Sequence, residues 1–456
     1  MRRAELERRL GLLTRRSCAQ EDVRDPTIDA VIAPREGVRD HAIHREPRGE
    51  NMGLRSLVLL IAWLAVISHA TAQETGDVAD PLALQIHGFA SQGFMLTTVN
   101  NYLAKTEHGS FELTEVGVNF TKPLTNDLRT GVQLFSRKLG STGNYTAKFD
   151  WFYLDYRWRD WLGIRAGRVK LPFGLYNEIN DADSARVPVL LPQSVYPISN
   201  RDYLLAQTGG ELYGRVVVGA GGTLDYRLYG GTIFIDVTQP PGSPYQVKSL
   251  DVPYVAGGRL LWETPLPGLR AGGSLQFLRL DTDLLFDPAL WTPLQTMGAL
   301  PASFKGDVQA KVEALLWVGS VEYSANDLLL AAEYSRWHID ADSSQMALFP
   351  GPKAKTSSIS ERLYGMAAYR VTRWFQPGLY YSLLFPDVDH RSGPQSMQHD
   401  VAGTLRFDIN DHWLVKLEGH YMRGTAALSS ALNDNLPLAQ LAPSWALFLI
   451  KTTAYF

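Results

Sequence analysis

One cysteine, Cys18, stands in 456 residues, so the body of the chain has neither a disulfide framework nor a Cys-based metal site. Beyond residue 72 no apolar run is long enough for a helix to cross a bilayer. His87, His108, His338, His390, His399, His412 and His420 show no metal-ligand spacing; His412 and His420 share a strand face but lie eight residues apart. No motif marks a nucleophile. The Gly219–Gly222 turn precedes a strand pattern rather than a helix, so it is no phosphate cradle. Asn119-Phe-Thr and Asn144-Tyr-Thr match a glycosylation acceptor pattern by chance. The chain is read as a non-enzyme, with no catalytic residue, no metal and no cofactor.

Lysine is missing from residues 1–51, which are rich in Arg and acids and show no apolar period. They read as a non-native or disordered N-terminal extension, with Met52 as the true start. Residues 52–72 then read as a secretory signal peptide: Arg55, an apolar run from Leu57 to Ile67, and the small-residue triplet Ala70-Thr71-Ala72 before Gln73. The whole chain carries −3; residues 1–72 hold 12 Arg against 10 acidic residues, leaving −5 from Gln73 onward. So mild a charge argues against nucleic acid as a partner.

What is present is alternation. From Asp400 to Ile409 one face is Asp400, Ala402, Thr404, Arg406 and Asp408, and the other Val401, Gly403, Leu405, Phe407 and Ile409. After Asn410-Asp411 the pattern resumes, with His412, Leu414, Lys416, Glu418 and His420 against Trp413, Val415, Leu417, Gly419 and Tyr421. A charged face opposite an apolar one is the wall of a water-filled barrel. Short turns recur at Leu124–Asp127, Arg159–Trp161, Gly219–Gly222, Pro265–Gly268, Ser324–Asp327, Thr372–Trp374 and Ile409–Asp411. Longer polar connections alternate with them, among them Val237–Pro253, Asp283–Ala310 and Gly424–Pro443.

The reading is therefore all-β: a transmembrane antiparallel β-barrel of about 16 strands over residues 73–456, with short turns in the periplasm. The strands are placed near 82–98, 110–122, 127–138, 146–158, 161–171, 208–219, 223–236, 254–265, 268–281, 311–324, 328–340, 359–371, 375–385, 397–408, 412–423 and 444–456. Trp158, Trp161, Trp374, Phe375 and Trp413 lie beside the short turns, where an aromatic girdle belongs. The last strand ends on Phe456, and a terminal aromatic on a membrane-length strand is the usual address label of a bacterial outer-membrane barrel.

The longest gap, residues 172–207, opens with Pro172-Phe-Gly174 and holds the apolar stretch Val187–Pro197. A loop of that length is functional or disordered, and this one is too apolar to stand in water. It is placed inside the barrel, narrowing the pore. Its charges are Glu178, Asp181, Asp183, Arg186, Arg201 and Asp202. Strand parity turns Arg129, Arg137, Arg157, Arg165, Arg215 and Arg227 inward from the wall, while Arg168 and Lys170 fall on the outward face. The expectation is that loop acids face wall arginines across the constriction and set a transverse field for solutes; the competing reading is ion pairs that pin the loop to the wall.

The sequence resembles a bacterial outer-membrane porin. The passage Gly167-RVKLPFG-Leu175 is similar to the strand-to-loop passage of the phosphate-selective (O/P-type) porin superfamily. That resemblance implies a third extracellular loop folded inward, a homotrimer, and a site in the outer membrane of a Gram-negative bacterium, among outer-membrane lipid. A phosphate preference does not carry over, because the loop is not Lys-rich, and Tyr455 beside Phe456 departs from the usual porin ending. The function implied is passive diffusion of small hydrophilic solutes or ions through a water-filled channel. A substrate-specific channel for anions or organic acids stays open, and so does a closed barrel with an enzymatic or lipid-handling role. Energised uptake is set aside, since the residues after Gln73 leave no room for a plug.

Overall fold

The structure, a computed structural model, describes residues 84–140, 142–235, 245–298, 300, 302–343 and 354–456. The expected extension (1–51) and signal peptide (52–72) lie outside the described residues.

Sixteen antiparallel strands close into one barrel in which every strand pairs with its sequence neighbours and β1 pairs with β16. The first eight are β1 Gln85–Thr97, β2 Ser110–Pro123, β3 Leu128–Leu139, β4 Lys148–Arg159, β5 Leu162–Lys170, β6 Ala206–Val217, β7 Thr223–Thr232 and β8 Tyr245–Glu263. The rest are β9 Leu269–Phe286, β10 Asp307–Ala325, β11 Leu328–Ser343, β12 Ala354–Tyr369, β13 Phe375–Phe385, β14 Gln398–Asn410, β15 Trp413–Gly424 and β16 Ser444–Tyr455. At the seam Phe89 faces Tyr455, and Gly88 and Phe456 exchange both backbone hydrogen bonds at 3.0 Å. The ladder therefore runs unbroken around the ring and leaves no open edge for lipid to meet.

The period-2 pattern is realised as two faces. On β14 and β15 the residues Asp400, Ala402, Thr404, Arg406, Leu414, Lys416, Glu418 and His420 are buried inside. Their neighbours Val401, Leu405, Trp413 and Tyr421 are exposed on the outer wall. The same apolar outer face continues round the barrel through Leu154, Ile164, Leu212, Leu228, Leu260 and Phe277. So wide an exposed apolar band is compatible with hydrocarbon and not with water. Beside the short turns Trp158 packs edge-on to Trp161 at 5.6 Å, and Phe407 stacks on Phe375 at 5.2 Å and on Trp374 at 6.2 Å.

Two connections differ from expectation. The loop expected over Val237–Pro253 is strand from Tyr245 onward, and β9 continues to Phe286. Register shifts at Val247/Ser249 and Asp251/Tyr254 break the alternation there, so the strand carries no clean period to read. Within the loop expected over Asp283–Ala310, Pro288–Thr296 forms a helix, α1. Pro occupies its first turn, where no N–H is needed, and the Asp287 side chain accepts from Ala289 N–H as its cap.

Leu405 faces outward near the middle of β14. Leu405→Arg is expected to lower the stability of the lipid-embedded barrel by about 2–4 kcal/mol, the cost of a cation toward the bilayer midplane. Denaturant titration of protein refolded into vesicles checks this; an unchanged midpoint would mean that this wall does not face lipid.

Candidate functional site: the inserted loop and the charged lumen wall

The connection between β5 and β6, residues 171–205, is the third of the long connections. Its partners fix where it lies. Gly174 N–H donates to Ser274 on β9 at 3.0 Å, Tyr176 to Glu322 on β10 at 2.8 Å, and Leu175 N–H to Glu333 on β11 at 2.9 Å. Ser194 is tied to β12 and β13 through the Leu363 carbonyl and Ser382. Arg406 on β14 donates to the Ser184 carbonyl, and Lys451 on β16 meets Asp183 at 2.7 Å. A segment that bonds strands on opposite sides of one barrel can only run through its lumen. Its apolar residues Phe173, Leu191, Val195 and Tyr196 are almost wholly buried there.

On the short-turn side of the loop the wall carries a continuous ladder of alternating charge. Arg129 on β3 meets Asp155 on β4 at 2.8 Å, and Asp155 meets Arg165 on β5 at 3.2 Å. Arg165 meets Glu211 on β6 at 3.1 Å, and Glu211 meets Arg227 on β7 at 2.7 Å. The next strand would break the alternation, because Arg227 and Arg259 stand directly opposite each other in register. Like charges so placed repel. Glu178 enters from the loop between them, 3.0 Å from Arg227 and 2.9 Å from Arg259, and restores the order. Burial pushes the Glu178 carboxyl up, but the two guanidiniums outweigh it and hold it below its usual value. Arg165 is further sandwiched between the Tyr153 and Tyr213 rings, at 5.0 and 4.9 Å.

Two more clusters hold the loop. Asp181 pairs with Lys170 at 3.2 Å and with Arg201 at 2.9 Å, and Arg201 also reaches Asp150 on β4 at 2.8 Å. Asp183 pairs with Arg186 at 2.7 Å and Lys451 at 2.7 Å and accepts from Thr453, with Lys416 4.0 Å away. Burial raises both carboxyls, and the surrounding cations reverse that, leaving each well below the carboxylate range. The loop backbone is also provided for. Lys416 Nζ donates to the carbonyls of Asp183, Arg186 and Pro188, while Glu418 accepts from the N–H groups of Val189 and Leu190. An apolar segment far from bulk water would otherwise bury those groups unpaired.

Several placements differ from parity. Lys170, the last residue of β5, points to the loop and not to lipid: its Nζ donates to the Glu178 carbonyl at 2.9 Å and to Asp181 at 3.2 Å. Arg168 donates to the Asp150 carbonyl. Asp150 itself escaped the sequence reading: it is the extra residue where the β3–β4 register shifts at Gln133/Leu134. At every loop acid described, the wall cation is in contact distance and not across an open gap. Arg137 is buried and lines a small cavity with Glu115, Asp181, Arg186 and Lys451. Arg157, paired with Asp160, and Arg215, paired with Asp225 and Glu263, lie half-exposed nearer the short turns. They line a cavity of 580 Å³ that also takes in Arg129, Arg227 and Arg259. The side chain of Asp202 lies outside the described residues. Among the described residues no group of three or more His, Cys, Asp or Glu could hold a metal ion.

Glu178→Gln leaves Arg227 and Arg259 facing each other without a bridging charge. It is expected to weaken loop anchoring by roughly 2–3 kcal/mol, the scale of a broken desolvated charge pair. Hydrogen exchange across residues 175–180 should rise accordingly; unchanged protection would show that Glu178 holds nothing. The pH dependence has a definite sign. A carboxyl depressed in the folded state stabilises fully above the unfolded value and is lost only as pH falls through the folded one. With Glu178, Asp181 and Asp183 all depressed, their contribution to the loop's protection factors, corrected for the pH dependence of intrinsic exchange, should stay flat from neutral pH down to about pH 5. A transition between pH 5 and 7, near the His range, would contradict it.

No protein-family model matches the chain, and no curated protein sequence does. Solved structures are similar in fold. An outer-membrane expressed OmpT of Vibrio cholerae superposes with a TM-score of 0.52 at 11% identity, covering 84% of this chain and 100% of that one. Its loop L8 deletion mutant gives 0.51 at 10% identity, covering 82% and 99%. The chain thus has the closed 16-strand barrel fold of outer-membrane proteins.

Proposed function

We propose that the protein is a porin: a water-filled channel in the outer membrane of a Gram-negative bacterium for passive diffusion of small hydrophilic solutes. The observation that carries this is the inserted loop. It is fastened by side chains from strands around the ring, and beside it lies a charged cavity of 580 Å³ lined by six arginines and five carboxylates. Building charge into a lumen and then dividing that lumen with a fixed segment suits selective diffusion. It does not suit a barrel that only needs to be stable, because buried ion pairs add little to stability. No catalytic step is assigned to any residue.

The charge balance favours anions as the preferred solutes. The ladder sets four arginines (Arg129, Arg165, Arg227, Arg259) against three carboxylates (Asp155, Glu211, Glu178). The finer kinship with the phosphate-selective (O/P-type) superfamily rests on Gly167–Leu175 and is proposed without a phosphate preference. The homotrimer is likewise carried over from that resemblance.

The test is planar-bilayer conductance of the refolded protein in a KCl gradient. Stable steps, arriving in threes for a trimer, with a reversal potential of the anion-preferring sign are expected. A folded, heat-modifiable barrel that never conducts would reject the channel.

A further inference from the structure

On the long-loop side of the inserted segment the wall carries a cation treated unlike those below it. Arg362 on β12 faces the lumen, two residues before Tyr364, whose hydroxyl donates to Glu333 where the loop is anchored. Its guanidinium carbon lies 3.4 Å from the centre of the Trp337 ring. Nε donates to Ser360 Oγ at 2.9 Å and Nη1 to the Ser194 carbonyl at 2.8 Å. Both acceptors are neutral. Among the described residues no carboxylate pairs with Arg362, and Nη2 has no hydrogen-bond partner. The arginines of the ladder, by contrast, each touch at least one carboxylate.

A guanidinium withdrawn from bulk water costs free energy unless a countercharge meets it. Here the indole face and two neutral oxygens hold the plane still, supply partial compensation, and leave one edge free. Ser360, nearly buried, accepts from Nε and keeps its own hydroxyl proton to donate. A fixed cation with one open N–H edge beside a hydroxyl donor matches one small monovalent anion. A multiply charged oxyanion would require further cations beside Arg362, and none pairs with this edge among the described residues. Retention by a single charge-assisted contact is weak enough for release, as conduction requires.

We propose that Arg362, backed by Trp337 and flanked by Ser360, is a receptor for small monovalent carboxylates in the lumen wall beside the inserted loop. The proposal rests on the channel reading for its purpose, but binding can be tested apart from conduction. In the binding arm, line broadening of carbon-labelled acetate is measured by NMR on the detergent-solubilised protein. Arg362→Gln should weaken acetate binding by roughly tenfold, the equivalent of one charge-assisted hydrogen bond. Arg362→Lys, which keeps the charge, should retain more of it than Arg362→Gln. In the conduction arm, bilayers in a potassium acetate gradient should show Arg362→Gln shifting the reversal potential toward potassium. Equal broadening in native protein and Arg362→Gln, or none in native protein, would overturn the receptor even where the channel conducts. A native protein that broadens acetate in an Arg362-dependent way yet never conducts would uphold the receptor and overturn the channel.

Discussion

Everything in this molecule follows from the absence of water around its outer wall. In hydrocarbon an unpaired backbone N–H or C=O costs several kcal/mol, on the order of the stability of a whole domain when repeated along one edge. The pairing of β1 with β16, down to the exchange between Gly88 and Phe456, removes that edge. Closure then dictates the rest. Alternate residues must face lipid and lumen, so Leu405 and Val401 go out and Arg406 and Asp400 go in. The connections on one side can shrink to tight turns, because the strands they join are already neighbours.

The same demand reappears inside. A loop in the lumen takes its backbone away from bulk water, and the wall must answer with side chains. Lys416 and Glu418, two residues apart on one face of β15, do this as a matched pair, one giving to carbonyls and the other receiving from N–H groups. Glu333 does it opposite, gathering Leu175 N–H with the Tyr196 and Tyr364 hydroxyls. Bonds of this kind fix position more than they raise stability. The location of the inserted loop is set by which wall residues can satisfy which loop groups.

This explains what could be read in the chain beforehand. Strand parity on β14 and β15 was legible because a period of two survives in the sequence wherever the ladder is regular. The loop was legible because an apolar run without a period has nowhere else to pack. What escaped is local and geometric. Asp150 turns inward through a bulge, and Lys170 reaches the loop from the very end of β5; neither leaves a mark on a hydrophobicity pattern. The extension of β8 back to Tyr245 was hidden by two register shifts. The role of Glu178 needed a fact that no single strand contains. Arg227 and Arg259 had to be known as cross-strand partners before the carboxylate between them acquired a purpose.

The two sides of the loop then differ in the kind of field they present. On the short-turn side each arginine has its carboxylate within about 3 Å, as at Arg165 with Asp155 and Glu211. Such pairs act on a passing solute as dipoles, whose influence falls faster with distance than that of a lone charge and is cut further by salt beyond about 8–10 Å. They orient what is already close. Arg362, whose partners among the described residues are Ser360, Ser194 and the Trp337 ring, acts as a monopole and is felt farther out. On the proposed channel reading, Arg362 would sort solutes by net charge and the paired ladder would orient those already close.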